Sequence, residues 1–262
     1  MKKFINANIY RNEDATEILV EKGVITQIGK NLPMAEEEID LKGRLVVPPY
    51  VDAHLHLDYV YTGRNDGATN DTGTLFEGIA RWHDVKKHQT YEDAKERALR
   101  GIQEEVSKGV QFIRTHIDVD DPKLTGLKAM LEIREELKDN VTIQIVAFPQ
   151  EGMYAYKGGD EMVEEALKMG ADCVGSIPHF EWAREIGEKS IHKTVELAVK
   201  YDKLIDVHCD ETDDVMSRFV ELLNALAMAE GIGPRTAASH TCSFGSADNA
   251  YAFRMMGLFQ KS

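Results

Sequence analysis

Apolar and polar positions follow two rhythms along this chain. From Arg114 onward, short apolar runs end near His116 (QFIRTH), Ala147 (TIQIVA), Ile177 (DCVGSI), Val207 (KLIDV) and Ser239 (RTAAS). They recur every ~30 residues, the length of a strand-helix unit in a parallel α/β fold. The runs are apolar or small at successive positions, as strands covered on both faces should be. Helical patterns lie between them. Residues 90–108 place Ala94, Ala98, Ile102 and Val106 four apart, with Thr90 as N-cap and Gly109 as stop. Residues 160–169 end at Gly170, and residues 213–230 end at Gly231, by the same logic. A further strand is expected to end at His54, entered through Pro48 and Pro49, which a central strand tolerates poorly.

The first 47 residues read differently. NANIYRNEDATEILVEKGVITQIGK alternates β-branched and polar residues, with turn signals at Asn12-Glu13-Asp14 and Glu21-Lys22-Gly23. The expectation is a small antiparallel sheet, part of a β-sandwich, over 1–47, and a partial (β/α)8 barrel over 48–262. The stretch from Tyr59 to Gln89, which contains GTLFEG, reads as a long polar loop, either a functional lid or surface decoration. Six barrel strands are countable, and an eight-strand barrel would need ~60 more residues at this period. The expected fold is therefore an incomplete α/β barrel of the TIM type, with two open edges prone to pairing with other chains.

Polar residues cluster where such a barrel does its chemistry, at the C-terminal ends of the strands. His54 and His56, two apart on a strand, point to the same side. With His208 they make a three-nitrogen set suited to one divalent ion, Fe²⁺ or Zn²⁺, with room for water. Glu211, three residues past His208, is placed to carry a proton from that water to a leaving group. His240 could orient the water or could be a capped core histidine. His116 and Asp118 could support a ligand from behind or could simply pack. His179-Phe180-Glu181 matches half of the zinc-dependent nucleoside-deaminase signature, but no PCxxC accompanies it, so it reads as coincidence. His83, His88 and His192 read as solvated.

Composition narrows the partners. The chain has 262 residues and a formal net charge of −14, which argues against nucleic acid and anionic membranes. Cys173, Cys209 and Cys242 form no CxxC pair and read as reduced thiols of a cytoplasmic protein. No secretory signal or membrane-spanning run is evident. GxGxxG, GxxxxGK[ST] and GxSxG are all absent, which demotes dinucleotide, P-loop and serine-hydrolase chemistry.

Longer segments then carry a resemblance. GRLVVPPYVDAHLHLD resembles the signature of the amidohydrolase superfamily. GTLFEGIARW, IRTHIDVDDPKLTGLKAMLE, QIVAFPQEG, GADCVGSIPHFE, YDKLIDVHCDETDD, SRFVELLNAL and ASHT, in this order, resemble the bacterial cytosine deaminases within it. The resemblance implies a metal-dependent hydrolase that converts cytosine, or a related nucleobase-like heterocycle, and water to the carbonyl product and ammonia, as in pyrimidine salvage. It implies one divalent metal on His54, His56 and His208, and Glu211 as proton shuttle. Gln150, in FPQEG, would read the ring carbonyl and N–H through its amide, which offers both a donor and an acceptor. His240 would orient the water. The expected partners are a small heterocyclic substrate and further copies of the chain in a homo-oligomer. The family's remaining metal ligand, an aspartate after the eighth strand, has no counterpart before Ser262. A second reading therefore stands beside the first: a catalytically impaired remnant or metal-binding module.

Overall fold

The computed structural model describes residues 1–64 and 67–262, so residues 65 and 66 of the expected Tyr59–Gln89 loop lie outside the described residues. The chain divides into two compact units, Met1–Pro49 and Tyr50–Ser262.

The first unit contains β1 (Lys2–Ile5), β2 (Asn8–Ile9), β3 (Glu17–Glu21), β4 (Val24–Gly29), β5 (Glu37–Asp40) and β6 (Leu45–Val46). Four of them form a sheet in the order β4-β3-β1-β5, and β2 pairs with β6. The Lys22-Gly23 turn joins β3 to β4 with both residues at positive φ, +51° and +81°, the twist a two-residue hairpin needs. The sheet is mixed, not antiparallel throughout: β1 runs parallel to β5, and β2 to β6. Both parallel partners come late in the unit, after the hairpin has returned the chain.

The second unit alternates strands and helices: β7 (Tyr50–Leu55), α1 (Leu75–Lys86), α2 (Tyr91–Ser107), β8 (Val110–Asp118), α3 (Thr125–Glu136), β9 (Thr142–Phe148), α4 (Gly159–Met169), β10 (Cys173–Ser176), α5 (Arg184–Tyr201), β11 (Leu204–Cys209), α6 (Phe219–Glu230), β12 (Thr236–His240) and α7 (Asn249–Phe259). The six strands form one parallel barrel sheet in sequential order, β7 to β12. Burial explains their apolar runs. Ile143, Ile145 and Ala147 of β9 point one way and Val146 and Phe148 the other, yet all are buried. The edges differ: Val51 on β7 is 65% exposed, and no residue of β12 is buried. Among the described residues, no helix is long and apolar enough to cross a membrane.

Helix caps follow the sequence pattern. The Thr90 hydroxyl accepts from the Asp93 N–H at 3.1 Å, and Ala94, Ala98 and Ile102 are buried beneath α2, while Val106 in its last turn is exposed. Two segments depart from expectation. The polar stretch after β7 holds a 12-residue helix, α1, whose N-cap Thr74 accepts from Glu77 N–H and whose Ile79 and Trp82 are buried. The helix expected from residue 213 begins only at Phe219. The buried Asp210 carboxylate accepts from the N–H groups of Phe219 and Val220, at 3.1 and 2.9 Å, and so fixes its first turn.

Gly175 lets the central strands approach closely. A Cβ there would lie 2.6 Å from the Ala147 carbonyl oxygen and 3.1 Å from Phe148 Cα, both backbone atoms of β9. Gly175→Ala is expected to destabilise the second unit by ~1–3 kcal/mol, the usual cost of overpacking. Urea unfolding would show this as a lower midpoint at unchanged slope; an unchanged midpoint would mean that β9 yields freely.

Candidate active site

Five imidazoles meet at the C-terminal ends of four strands. His54 lies on β7 and His56 just past it, His116 is on β8, His208 on β11, and His240 closes β12. Ring centroids are 4.2 Å apart for His54 and His116, 4.6 Å for His54 and His240, and 4.8 Å for His54 and His208. His56 Nε2 is 3.2 Å from His208 Nε2. Two triplets, His54-His56-His116 and His54-His208-His240, each bring three ring nitrogens within 4.8 Å of one another. The three expected ligands therefore converge, and His116 joins them as a fully buried fourth ring. Its place was open in the sequence, because a β8 histidine can face either the barrel interior or the helices.

The chemistry of this donor set fits a divalent ion. Burial, reinforced by the neighbouring imidazoles, lowers His54 to about 4 and holds His56 and His208 well below the ordinary histidine range. Neutral imidazoles keep the lone pair that a metal needs. Among the described residues, the Nδ1 atoms of His56 and His208 and both nitrogens of His116 are buried without hydrogen-bond partners. Phe148 stacks on His208 at 4.0 Å and Tyr59 on His56 at 4.7 Å, which limits ring rotation.

Glu211 reaches the same space through an unusual backbone. Asp210 has φ +63°, and its carboxylate turns down to accept from Ser217 Oγ at 2.7 Å as well as from α6. The next residue is thereby turned toward the pocket, where Glu211 Oε1 lies 3.5 Å from His240 Nδ1. Burial raises the Glu211 carboxyl and lowers His240. Gln150, buried just past β9, faces the same cavity of about 540 Å³, whose wall also includes Tyr59, the segment that leads into α1, and Leu75, Ile79 and Trp82 on α1. That is ample room for a single heterocyclic ring.

Comparison with known proteins places this arrangement. Residues 37–259 match the amidohydrolase family. The chain belongs to that family. It is 30% identical to N-isopropylammelide isopropyl amidohydrolase of Pseudomonas sp. (strain ADP), over 87% of this chain and 57% of the relative. It is 24% identical to the pterin deaminase of Rhizobium rhizogenes, over 94% of this chain and 56% of the relative. The crystal structure of 5-methylcytosine deaminase from Klebsiella pneumoniae liganded with 5-fluorocytosine superposes with a TM-score of 0.93 at 43% identity. That superposition covers 99% of this chain and 63% of the other. The chain thus spans about three fifths of the length of these relatives.

This amidohydrolase holds its pocket roof by charge. Carboxylates crowd the ends of β7 and β8, where Asp58 Oδ2 accepts from Asp118 N–H at 2.8 Å and Asp120 lies close by. Lys86 of α1 answers them, with Nζ 3.0 Å from Asp118 and 2.7 Å from Glu151. Burial alone would lower the ammonium's pKa, but Asp118, Glu151 and Asp120 outweigh it and raise it. Trp82 Nε1 donates to the same Asp118 oxygen at 2.7 Å, and His83, expected to be solvated, pairs with Glu151. The turn that follows Gln150 is pinned by two carboxylates. Asp120 accepts from the Glu151 N–H at 2.5 Å, and the buried Glu181 carboxylate accepts from the N–H groups of Met153, Tyr154 and Ala155. Glu181 is thus a loop anchor, a role its neighbour His179 gave no hint of.

Lys86→Met would remove the cation shared by Asp118 and Glu151, leaving Asp118 the Trp82 Nε1 donor and Glu151 the His83 ring. The expected cost is ~3–5 kcal/mol, as for other buried pairs that lose one partner. Hydrogen exchange should rise through Leu75–Lys86 while β9 and β11 stay protected; unchanged protection of α1 would show that apolar contacts alone hold the roof.

Proposed function

We propose that this protein hydrolytically removes an exocyclic amino group from a cytosine-like heterocycle, giving the ring carbonyl and ammonia. The observation that carries this reading is the placement of Glu211 and His240 at the mouth of the histidine cluster, with the Gln150 amide in the same cavity. The fold likeness to a deaminase liganded with 5-fluorocytosine supports a pyrimidine, and the relatives named for ammelide and pterin chemistry support a nitrogen-rich ring more broadly.

His54, His56 and His208 would hold one divalent ion, Fe²⁺ or Zn²⁺, which supplies Lewis acidity that makes water a nucleophile at neutral pH. The protein's own groups do the rest. His240 accepts a hydrogen bond from the attacking water and orients it. Glu211, its carboxyl raised by burial, takes one proton from that water and delivers it to the ring nitrogen as the C–O bond forms; the remaining hydroxyl proton then passes through Glu211 to the amino group as the C–N bond breaks, leaving the ring carbonyl and ammonia. Gln150 donates its amide N–H to the ring carbonyl and accepts from a ring N–H, which sets the amino-bearing carbon over the histidines. Tyr59 and Trp82 exclude bulk water on the α1 side.

Glu211→Gln is expected to lower ammonia release by ~10²- to 10⁴-fold with metal per chain unchanged; retained turnover would refute the shuttle. Gln150→Ala should raise KM for cytosine about tenfold, the worth of roughly one hydrogen bond. A substrate lacking the ring carbonyl should be nearly indifferent to it, and equal effects on both would remove Gln150 from the recognition role. Metal uptake by wild-type protein without turnover of any aminoheterocycle would favour the metal-binding module over the enzyme.

A further inference from the structure

Beneath the histidine cluster lies a buried polar chain that the deamination reading leaves without a task. Asp206 sits two residues before His208 on β11, so both side chains face the barrel interior. It is 2% exposed. One carboxylate oxygen, Oδ2, takes Arg114 Nη1 at 2.8 Å, and Arg114 Nε is itself held by Gln144 at 3.1 Å. The other oxygen, Oδ1, accepts from Ser239 Oγ at 2.6 Å. Ser239 Oγ in turn lies 3.2 Å from His54 Nδ1. His116 Nε2 approaches Asp206 Oδ1 to 3.4 Å without forming a hydrogen bond.

Proton bookkeeping gives this chain a direction. A carboxylate only accepts, so the single Ser239 hydroxyl proton is committed to Asp206. Ser239 Oγ can then only accept from His54, which requires the proton of the neutral imidazole to be on Nδ1. The lone pair of His54 is left on Nε2, the ring nitrogen that does not face Ser239. We propose that Asp206, acting through Ser239, is a positioning residue that fixes the tautomer and ring orientation of His54 for metal binding. The proposal rests on the metal centre of the deaminase reading and adds to it a relay across three strands, from β11 through β12 to β7. Partners that orient a ligating histidine in this way raise its affinity for the metal by ~10- to 100-fold in other proteins.

The bland alternative is that Asp206 merely neutralises Arg114 inside the barrel. Ser239→Ala separates the two, because it cuts the relay and leaves the Asp206–Arg114 pair intact. Ser239 lies on the half-exposed edge strand β12, so its loss should not endanger folding. The probe is Co²⁺ alone, titrated into the metal-free full chain and followed by the visible absorption of the bound ion. Ser239→Ala is expected to weaken Co²⁺ binding by ~10- to 100-fold, and Ser239→Thr, which keeps the hydroxyl, to restore it. Asp206→Asn should weaken binding similarly, and adding Ser239→Ala to it should cost little more. Nitrogen NMR of the metal-free protein should show His54 as the Nδ1–H tautomer in the wild type and a mixture of tautomers in Ser239→Ala. Undiminished Co²⁺ affinity and an unchanged His54 tautomer in Ser239→Ala would overturn the relay alone. A wild-type chain that takes up no Co²⁺ would overturn the metal centre itself and the relay with it.

Discussion

Crowding five imidazoles into one space, from the buried His116 and His208 out to the exposed His240, is the constraint on which the rest of the site depends. A neutral imidazole carries one donor and one acceptor, and a charged one here would be desolvated and would repel any second ring that took up a proton. Burial and the neighbouring rings hold His54, His56, His208 and His240 below the ordinary histidine range, and several nitrogens of the cluster face no partner among the described residues. Each such nitrogen costs ~1–3 kcal/mol while it is unpaired. Only a stiff scaffold can hold groups that would otherwise part. The buried inner strands β8 and β11 provide it for His116 and His208, and aromatic rings against His56 and His208 limit the remaining freedom.

Wall and roof are stabilised by different physics. The inner strands β8 and β11, which carry His116 and His208, are held by apolar burial, whereas the edge strands β7 and β12, which carry His54 and His240, are not buried. The roof helix α1 buries chiefly Ile79 and Trp82, and its other apolar residues face the cavity or solvent. Two such side chains contribute ~1.5–3 kcal/mol each, modest for a 12-residue helix. Lys86, Trp82 Nε1 and His83 supply what burial does not by docking on Asp118 and Glu151. Because Glu151 follows Gln150 directly, the contact that seats the roof also fixes the turn that presents Gln150 to the cavity.

What the sequence shows plainly is whatever repeats. Strand-helix spacing of ~30 residues marks a parallel α/β sheet without any tertiary knowledge, and the histidines closing successive strands mark its working end. The capping roles of Thr90 and the helix stops at Gly170 and Gly231 are local, so they too are legible. The α1 helix was hidden because Leu75–Lys86 draws its docking energy from partners 30 to 70 residues away, not from an apolar stripe. The start of α6 was misplaced because Asp210, outside the helix, decides it. Ser239 looked like an unremarkable small residue in RTAAS; only the pairing of β12 with β11 puts it between Asp206 and His54.

Backbone conformation completes the account of why catalytic-type residues gather here. Asp210, His240 and Thr241 all adopt positive φ, +63°, +71° and +47°. For a β-branched threonine this is unfavourable, at roughly 1–2 kcal/mol. Hydrogen bonds hold the conformation in place: Thr241 N–H donates to the Cys209 carbonyl at 3.1 Å, and Ser243 N–H to that of Asp210 at 3.1 Å. The two strained turns are therefore tied to each other across neighbouring strands. Had β11 and β12 each continued as extended chain, Glu211 and His240 would be carried away from the strand ends along the barrel axis. The reversal at each strand end instead brings His240 to 4.6 Å from the His54 ring and within 3.5 Å of Glu211. Strain concentrated at these three residues is thus the cost of folding Glu211 and His240 back over the histidine cluster.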